Sequence, residues 1–201
     1  MRTSQLMERR ADPQPQGMAN RLRRRQRGVT IIELVIGLVV VSVLLALGIP
    51  SFKSWMINSQ IRNASEAVLN GIQLARANAI QQNRLMVFDL QNGATPVNWR
   101  VYLDGNSASG PDIQKWTADE GAKNTVLTPG AGSGTIVTFN GLGQRVANSD
   151  GSAMLTQIGV TSSASSSAEI RSLNVVIGAS GSIKMCDPDP VLVAHGDPRA
   201  C

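Results

Sequence analysis

Aromatic residues are scarce in this chain: three Trp, three Phe and one Tyr among 201 residues. Extensive stacking platforms of the kind that hold single-stranded nucleic acid are therefore not expected. Histidine occurs once, at His195, and cysteine twice, at Cys186 and Cys201. Two thiols and one imidazole fall short of the four ligands of a structural zinc site. A thiol–imidazole nucleophile would need a thiolate, and a disulfide between the two cysteines removes it. A solvated surface histidine is the simpler reading of His195. An even cysteine pair near the end of a chain with an export-like segment reads as one disulfide formed in an oxidising compartment, with two unrelated free thiols as the alternative. The loop so closed, on the order of 15 residues, is worth about 3 kcal/mol in the chain-entropy model and would pin the C-terminus.

Other signatures are missing too. "GLGQRV" (141–146) lacks the third glycine and the βαβ setting of a dinucleotide fingerprint, and reads as a β-turn carrying Arg145. Asp187, Asp189 and Asp197 lack the spacing and closing glutamate of a calcium loop, and Pro188 and Pro190 stiffen the segment. No constellation of acid, base and nucleophile is left. The chain is expected not to be an enzyme and to hold neither a metal nor a cofactor.

The formal charge of +5 divides unevenly. Residues 1–28 carry eight arginines against Glu8 and Asp12, a balance of +6, and the rest carries 11 basic and 12 acidic residues, a balance of −1. If the first 28 residues are removed, the charge argument for a nucleic-acid partner goes with them. That stretch is polar, interrupted by Pro13 and Pro15, and without period; it reads as a processed leader or a cytoplasmic tail. Residues 31–49 then form an apolar run broken only by Glu33 and Ser42. Its length is near the roughly 20 residues of a membrane-spanning helix, and the upstream arginines keep its N-terminal side cytoplasmic. A secretory signal is the competing reading, but no small-x-small cleavage site follows the run. Pro50 is expected to kink or loosen the helix without necessarily ending it.

From 51 to 82, Ile61, Ser65, Val68, Ile72, Ala75 and Ala79 recur at spacings of three and four, which predicts one apolar stripe on an amphipathic helix. Gly71 weakens it by up to about 1 kcal/mol relative to alanine. After Arg84 the character turns to short β-branched or aromatic runs bounded by Gly, Asn, Asp, Pro and Ser. Strands are predicted at 84–90, 99–103, 135–139, 173–178 and 182–186, with the last two as a hairpin, and weaker ones at 113–117 and 155–160. "GAGSG" (130–134) and "TSSASSSA" (161–168) read as flexible connections. The expectation is an α+β protein, a long helix whose second half covers an antiparallel β-sheet head.

"GVTIIELVIGLVVVSVLLALGIPSF" (28–52) resembles the class III signal of type IV pilins and type II secretion pseudopilins. Gly28 stands before the cleavage point, Val29 is the first mature residue, Glu33 the fifth and Pro50 the twenty-second. "GIQLARANAIQQNRLMVFDL", "TIVTFNGLGQRV" and "GASGSIKMCDPDP" resemble the GspH/FimT branch of that family. The resemblance covers 28–186 and implies the type IV pilin fold, divided into a leader (1–28), a membrane or fibre-core half-helix (29–50), an amphipathic half-helix (51–83) and a β-rich head (84–201). It implies cleavage after Gly28 and methylation of Val29 by a prepilin peptidase. It also implies a single-pass protein of the inner membrane with its head in the periplasm, passed by an assembly platform into a pilus or pseudopilus of other pilins. The first function it implies is a minor type IV pilin of a pilus or its initiating tip. A pseudopilin of type II secretion and a DNA-binding pilin for transformation are the alternatives.

The resemblance also gives the intramembrane carboxylate a partner. An ionised carboxylate in hydrocarbon costs at least about 2.5–3.5 kcal/mol by insertion scales. Glu33 lies one turn inside the mature helix, where its charge favours the positive end of the helix dipole. In a packed fibre it is implied to meet the amino terminus of a neighbouring subunit. DNA binding in some relatives is associated with a C-terminal G-R-x-R element. Here only "GDPRAC" (196–201) is present, so Arg199 is the one candidate contact and DNA is possible but not favoured.

Overall fold

The computed structural model describes residues 28–91, 98–105, 110–164 and 169–201. The leader expected over 1–28 therefore lies outside the described residues except for Gly28, as does the end of the serine-rich connection. The chain divides into two compact units, Met1–Val43 and Leu44–Cys201. In the first, the described chain is Gly28 to Thr30 in open conformation followed by helix. The second holds the remaining helix and the head.

Helix α1 spans Ile31–Gln82, 52 residues, and continues through Pro50. Its end is specified locally. Asn83 adopts a left-handed conformation (φ 49°), its N–H donates to Ile80 O (3.4 Å) and the Arg84 N–H donates to Ala79 O (3.2 Å). That pair of bonds satisfies the last carbonyls in a Schellman arrangement, with asparagine where glycine is commonest. The stripe read from the sequence is the buried one: Ile61, Ser65, Val68, Ile72, Ala75 and Ala79 are all fully enclosed. Ser65 is tolerated there because its hydroxyl donates to Ile61 O at 2.8 Å, leaving no orphan donor.

Among the described residues the head contains two antiparallel sheets. The first has strand order β3-β2-β1-β5-β6, from β1 (Met86–Gln91), β2 (Asn98–Leu103), β3 (Asp112–Thr117), β5 (Ile136–Phe139) and β6 (Arg145–Val146). The second has order β4-β7-β8-β9, from β4 (Thr125–Pro129), β7 (Gln157–Ser162), β8 (Leu173–Ile177) and β9 (Ile183–Cys186). The hairpin expected at the end of the chain is β8–β9, with Ile177 opposite Ile183. In the first sheet Phe88 lies between Val101 and Val137, and Leu90 opposes Trp99. These side chains join the helix stripe and the second sheet's Leu127, Ile158, Val160, Val175 and Ile177 in one hydrophobic cluster. Each such side chain contributes roughly 1.5–3 kcal/mol on full burial. The two sheets are linked where β4 leads to β5. The "GAGSG" stretch there is a packed turn and not a flexible connection: Ser133 N–H donates to Gly130 O (2.9 Å) and Gly130 N–H to Gln157 O (2.8 Å). A Cβ at Gly134 would run into the Ala153 carbonyl, so glycine serves close backbone approach here and not mobility.

Polar side chains tie strands to their connections. The Asn148 amide donates to Ile136 O (3.1 Å) and to Ala153 O (3.2 Å) while accepting from the Thr138 hydroxyl (3.0 Å). Arg145, read from the sequence as a turn residue, occupies the edge strand β6. Its guanidinium donates to Ile177 O (2.9 Å) and its N–H to Ala179 O (3.3 Å), so it straps one sheet to the hairpin of the other. The turn expected in that stretch is present just ahead of it, where Asn140 Oδ1 accepts from Leu142 and Gln144 N–H groups.

Gly71 has a packing role. The six-membered ring of Trp99 lies on its Cα, and a Cβ there would sit 2.7–2.8 Å from three ring atoms. Helix propensity alone makes Gly71→Ala stabilising by up to about 1 kcal/mol. Displacing a packed indole that stacks on Trp116 and meets Phe88 at a tilt costs about 1–3 kcal/mol. The substitution is therefore expected to destabilise, seen as a lower midpoint in denaturant unfolding. An unchanged or raised midpoint would mean that the indole moves aside freely.

Candidate functional site

The site begins where the helix begins. Gly28, Val29 and Thr30 precede the first helical residue, Ile31. Thr30 is the N-cap: its Oγ1 accepts from the Glu33 N–H (3.2 Å) and its carbonyl from the Leu34 N–H (3.1 Å). Threonine at the cap with glutamate three residues on is the capping-box pattern. The sequence reading found Glu33 but missed Thr30, although T-x-x-E ahead of an apolar run was the available signal. Glu33 is exposed and is the acidic residue of the first turn, where the unpaired N–H groups concentrate positive potential.

The apolar run behind the cap has no covering within the described chain. Ile31, Leu34, Leu38, Val41, Leu44 and Leu47 are all more than half exposed. None of the most apolar 18-residue window of α1 is buried, and by length and composition the helix can cross a membrane. Ser42, the other polar residue of the run, donates its hydroxyl to Leu38 O at 2.7 Å, which keeps its donor satisfied without water. An apolar surface of this extent needs lipid or other helices around it.

The candidate residues near the C-terminus belong to the second unit, Leu44–Cys201. Cys186 and Cys201 are joined in a disulfide with Cα atoms 5.2 Å apart, and that bond takes both sulfurs out of thiolate chemistry. The tail between them carries a helix that the sequence reading did not foresee, α2 (Pro190–Ala194), with Asp189 as N-cap and His195 as C-cap. The Asp187 carboxylate accepts from the Asp189 N–H (3.0 Å) and that of Asp189 from the Val191 N–H (2.9 Å). Asp197 holds Arg199 in a two-pronged pair at 3.0 and 2.8 Å. Those hydrogen bonds hold the Asp197 carboxyl down to about 2 and raise the Arg199 guanidinium above its ordinary value. The three aspartates are thus engaged locally, and among the described residues no group of three metal-ligating side chains gathers.

A capped helical terminus with a carboxylate in its first turn, an uncovered apolar run, and an antiparallel β head define a subunit carried on its N-terminal helix. The chain belongs to the GspH family: the family described as Type II transport protein GspH matches residues 64–181. The prokaryotic N-terminal methylation motif matches residues 23–49 and implies processing by a prepilin peptidase and assembly with other pilins. The protein is therefore of the minor pilin and pseudopilin kind. No curated protein matches the chain. Two crystal structures of the type IV minor pilin FimU from Pseudomonas aeruginosa are similar to it. In space group P21 the identity is 16%, with 63% of this chain and 88% of that one covered and a TM-score of 0.47. In P65 the identity is 15%, with 62% and 90% covered and a TM-score of 0.45.

Proposed function

We propose that this chain is a minor type IV pilin, held in the bacterial inner membrane by residues 29–50 and then moved into a pilus or its initiating tip. The observation that carries the reading is the uncovered apolar run behind a capped terminus bearing Glu33. Cleavage after Gly28 exposes the amine of Val29, which is then methylated. The Glu33 carboxylate pairs with the amino terminus of a neighbouring subunit, and Pro50 loosens the helix where it leaves the fibre core. The head stays in the periplasm until assembly. The role is structural: no step calls for a catalytic side chain, a metal or a cofactor.

A second reading, a pseudopilin of type II secretion, is favoured by the description of the matched family itself. Its chemistry is the same and only the machine differs. The test is recovery of the tagged protein with sheared, purified fibres. Co-purification with pilus subunits is expected, co-purification with secretion pseudopilins selects the second reading, and retention wholly in the membrane fraction contradicts both.

DNA is not a favoured partner. Arg199 is a single exposed cation, and the mature chain carries no basic excess. A single phosphate contact gives little affinity and little salt dependence. The head freed of leader and apolar helix is expected to retard duplex DNA only weakly at physiological salt. Tight, salt-sensitive retardation lost on Arg199→Ala would contradict this.

A further inference from the structure

Within the unit Leu44–Cys201, a groove of about 670 Å³ runs between α1 and the disulfide-closed tail. One wall is helical, with Trp55, Ser59 and Arg62; the other carries Arg171 and Arg199, with Asp187 as the one acidic lining residue. Its size falls in the range of sites that hold a small molecule or headgroup. Arg171 is fixed beside the helix, since its backbone N–H donates to Asn58 Oδ1 at 2.9 Å. Among the described residues its guanidinium makes no ion pair. Arg62 pairs with the exposed Glu66 (3.0 Å), and the exposed Arg199 pairs with the half-buried Asp197 (2.8 Å). The Arg62 pair is solvent-screened and open to competition, and Asp197 takes only the Nε and Nη2 groups of Arg199.

The height of the groove along the helix is set by the sequence. The apolar run ends at Ile49, and Trp55 follows about 9 Å further along the axis at 1.5 Å per residue. A headgroup layer is roughly 5–8 Å thick on each side of the hydrocarbon, so Trp55 emerges at its outer edge. Trp55 is 64% exposed and packs on Phe52 with ring centroids 5.7 Å apart, beside Lys53. Aromatic rings with a flanking lysine just past an apolar run are an interfacial anchor.

We propose that this groove seats the phosphate headgroup of an anionic phospholipid from the leaflet into which the helix emerges, while the subunit waits in the membrane. The proposal rests on the reading above that residues 31–49 span the bilayer. From the outer edge of the headgroup layer the Trp55 side chain leans back among the headgroups, Arg171 supplies forked donors to the phosphate oxygens, and Arg199 supplies the N–H groups that Asp197 leaves open. Bound lipid fixes the depth of the helix and the orientation of the head, and extraction into a fibre releases it.

The test uses the full mature chain in vesicles of phosphatidylcholine and phosphatidylglycerol, with the acyl chains of one lipid or the other brominated. Trp99 and Trp116 are buried in the head, so quenching of tryptophan emission that disappears in Trp55→Phe reports on Trp55. At equal mole fraction, brominated phosphatidylglycerol is expected to quench Trp55 at least about threefold more efficiently than brominated phosphatidylcholine. The preference is expected to vanish in Arg171→Ala/Arg199→Ala and to persist in Arg84→Ala, a charge removed at the far end of α1. Equal quenching by the two lipids overturns the proposal while leaving the membrane span intact. No quenching by either overturns the span as well. A preference that survives the double substitution overturns the assignment to this groove.

Discussion

Replacing Glu33 with alanine is expected to leave the protein inserted and trimmed after Gly28 and to lower its share of the assembled fibre about a hundredfold. In the proposed assembly the carboxylate meets a neighbour's terminal amine inside a bundle of apolar helices. Removing one member of a buried ion pair leaves the other unpaired in low dielectric, which costs about 3 kcal/mol or more, and 1.4 kcal/mol is a factor of ten. The N-cap geometry supplies a sharper variant. Glutamine at the third helical position still serves a capping box, so Glu33→Gln keeps the local role and removes only the charge. It is expected to fail in incorporation as alanine does, read as the ratio of mutant to wild-type protein in purified fibres. Normal incorporation of Glu33→Gln would assign Glu33 to capping alone.

Removing the disulfide is expected to have the second-largest effect. The loop it closes has a sequence separation of 15, which corresponds to about 3 kcal/mol in the chain-entropy model. Little else holds the tail. Helix α2 has no buried residue, and the return strand is fixed by the Asp187 N–H to Arg199 O (2.7 Å) and the Cys201 N–H to Asp187 O (3.1 Å). With Cys186→Ser/Cys201→Ser, amide exchange at Asp187 and Cys201 is expected to accelerate about a hundredfold or more. The amides of the central strand β1 are expected to keep most of their protection. Unchanged exchange at both amides would mean that the tail is held by contacts other than the bridge.

The parts of the fold that were legible in the sequence were those with a strong period. The six stripe residues from Ile61 to Ala79 recur at helical spacing, and all six are buried. The strands rich in Val, Ile, Phe and Trp appear close to where they were read. What escaped was short or peripheral. Strand β4 is an edge strand ending in Pro129, and β6 is two residues long, so neither carries a readable alternation. The division into two sheets depends on β1 pairing with β5 across three intervening strands, a long-range choice that no local pattern records. Gly71 and Gly134 were read by propensity and composition, whereas their role is close approach to an indole and to a carbonyl. Helix α2 did leave a signal, an aspartate cap followed by proline at 189–190, but those aspartates were weighed only as cation ligands. At the candidate site Glu33 was legible because a charge in an apolar run stands out. Thr30 left a signal as well, T-x-x-E ahead of the apolar run, but one that is short beside the charge it precedes.

The most direct test of the central claim is the intact mass of the native product, purified from cells that contain the processing protease, together with its N-terminal fragment. A chain beginning at Val29, with a methyl group on its amine, is the result expected. An unprocessed chain of 201 residues would contradict the account, because Glu33 would then have no neighbouring terminal amine to meet.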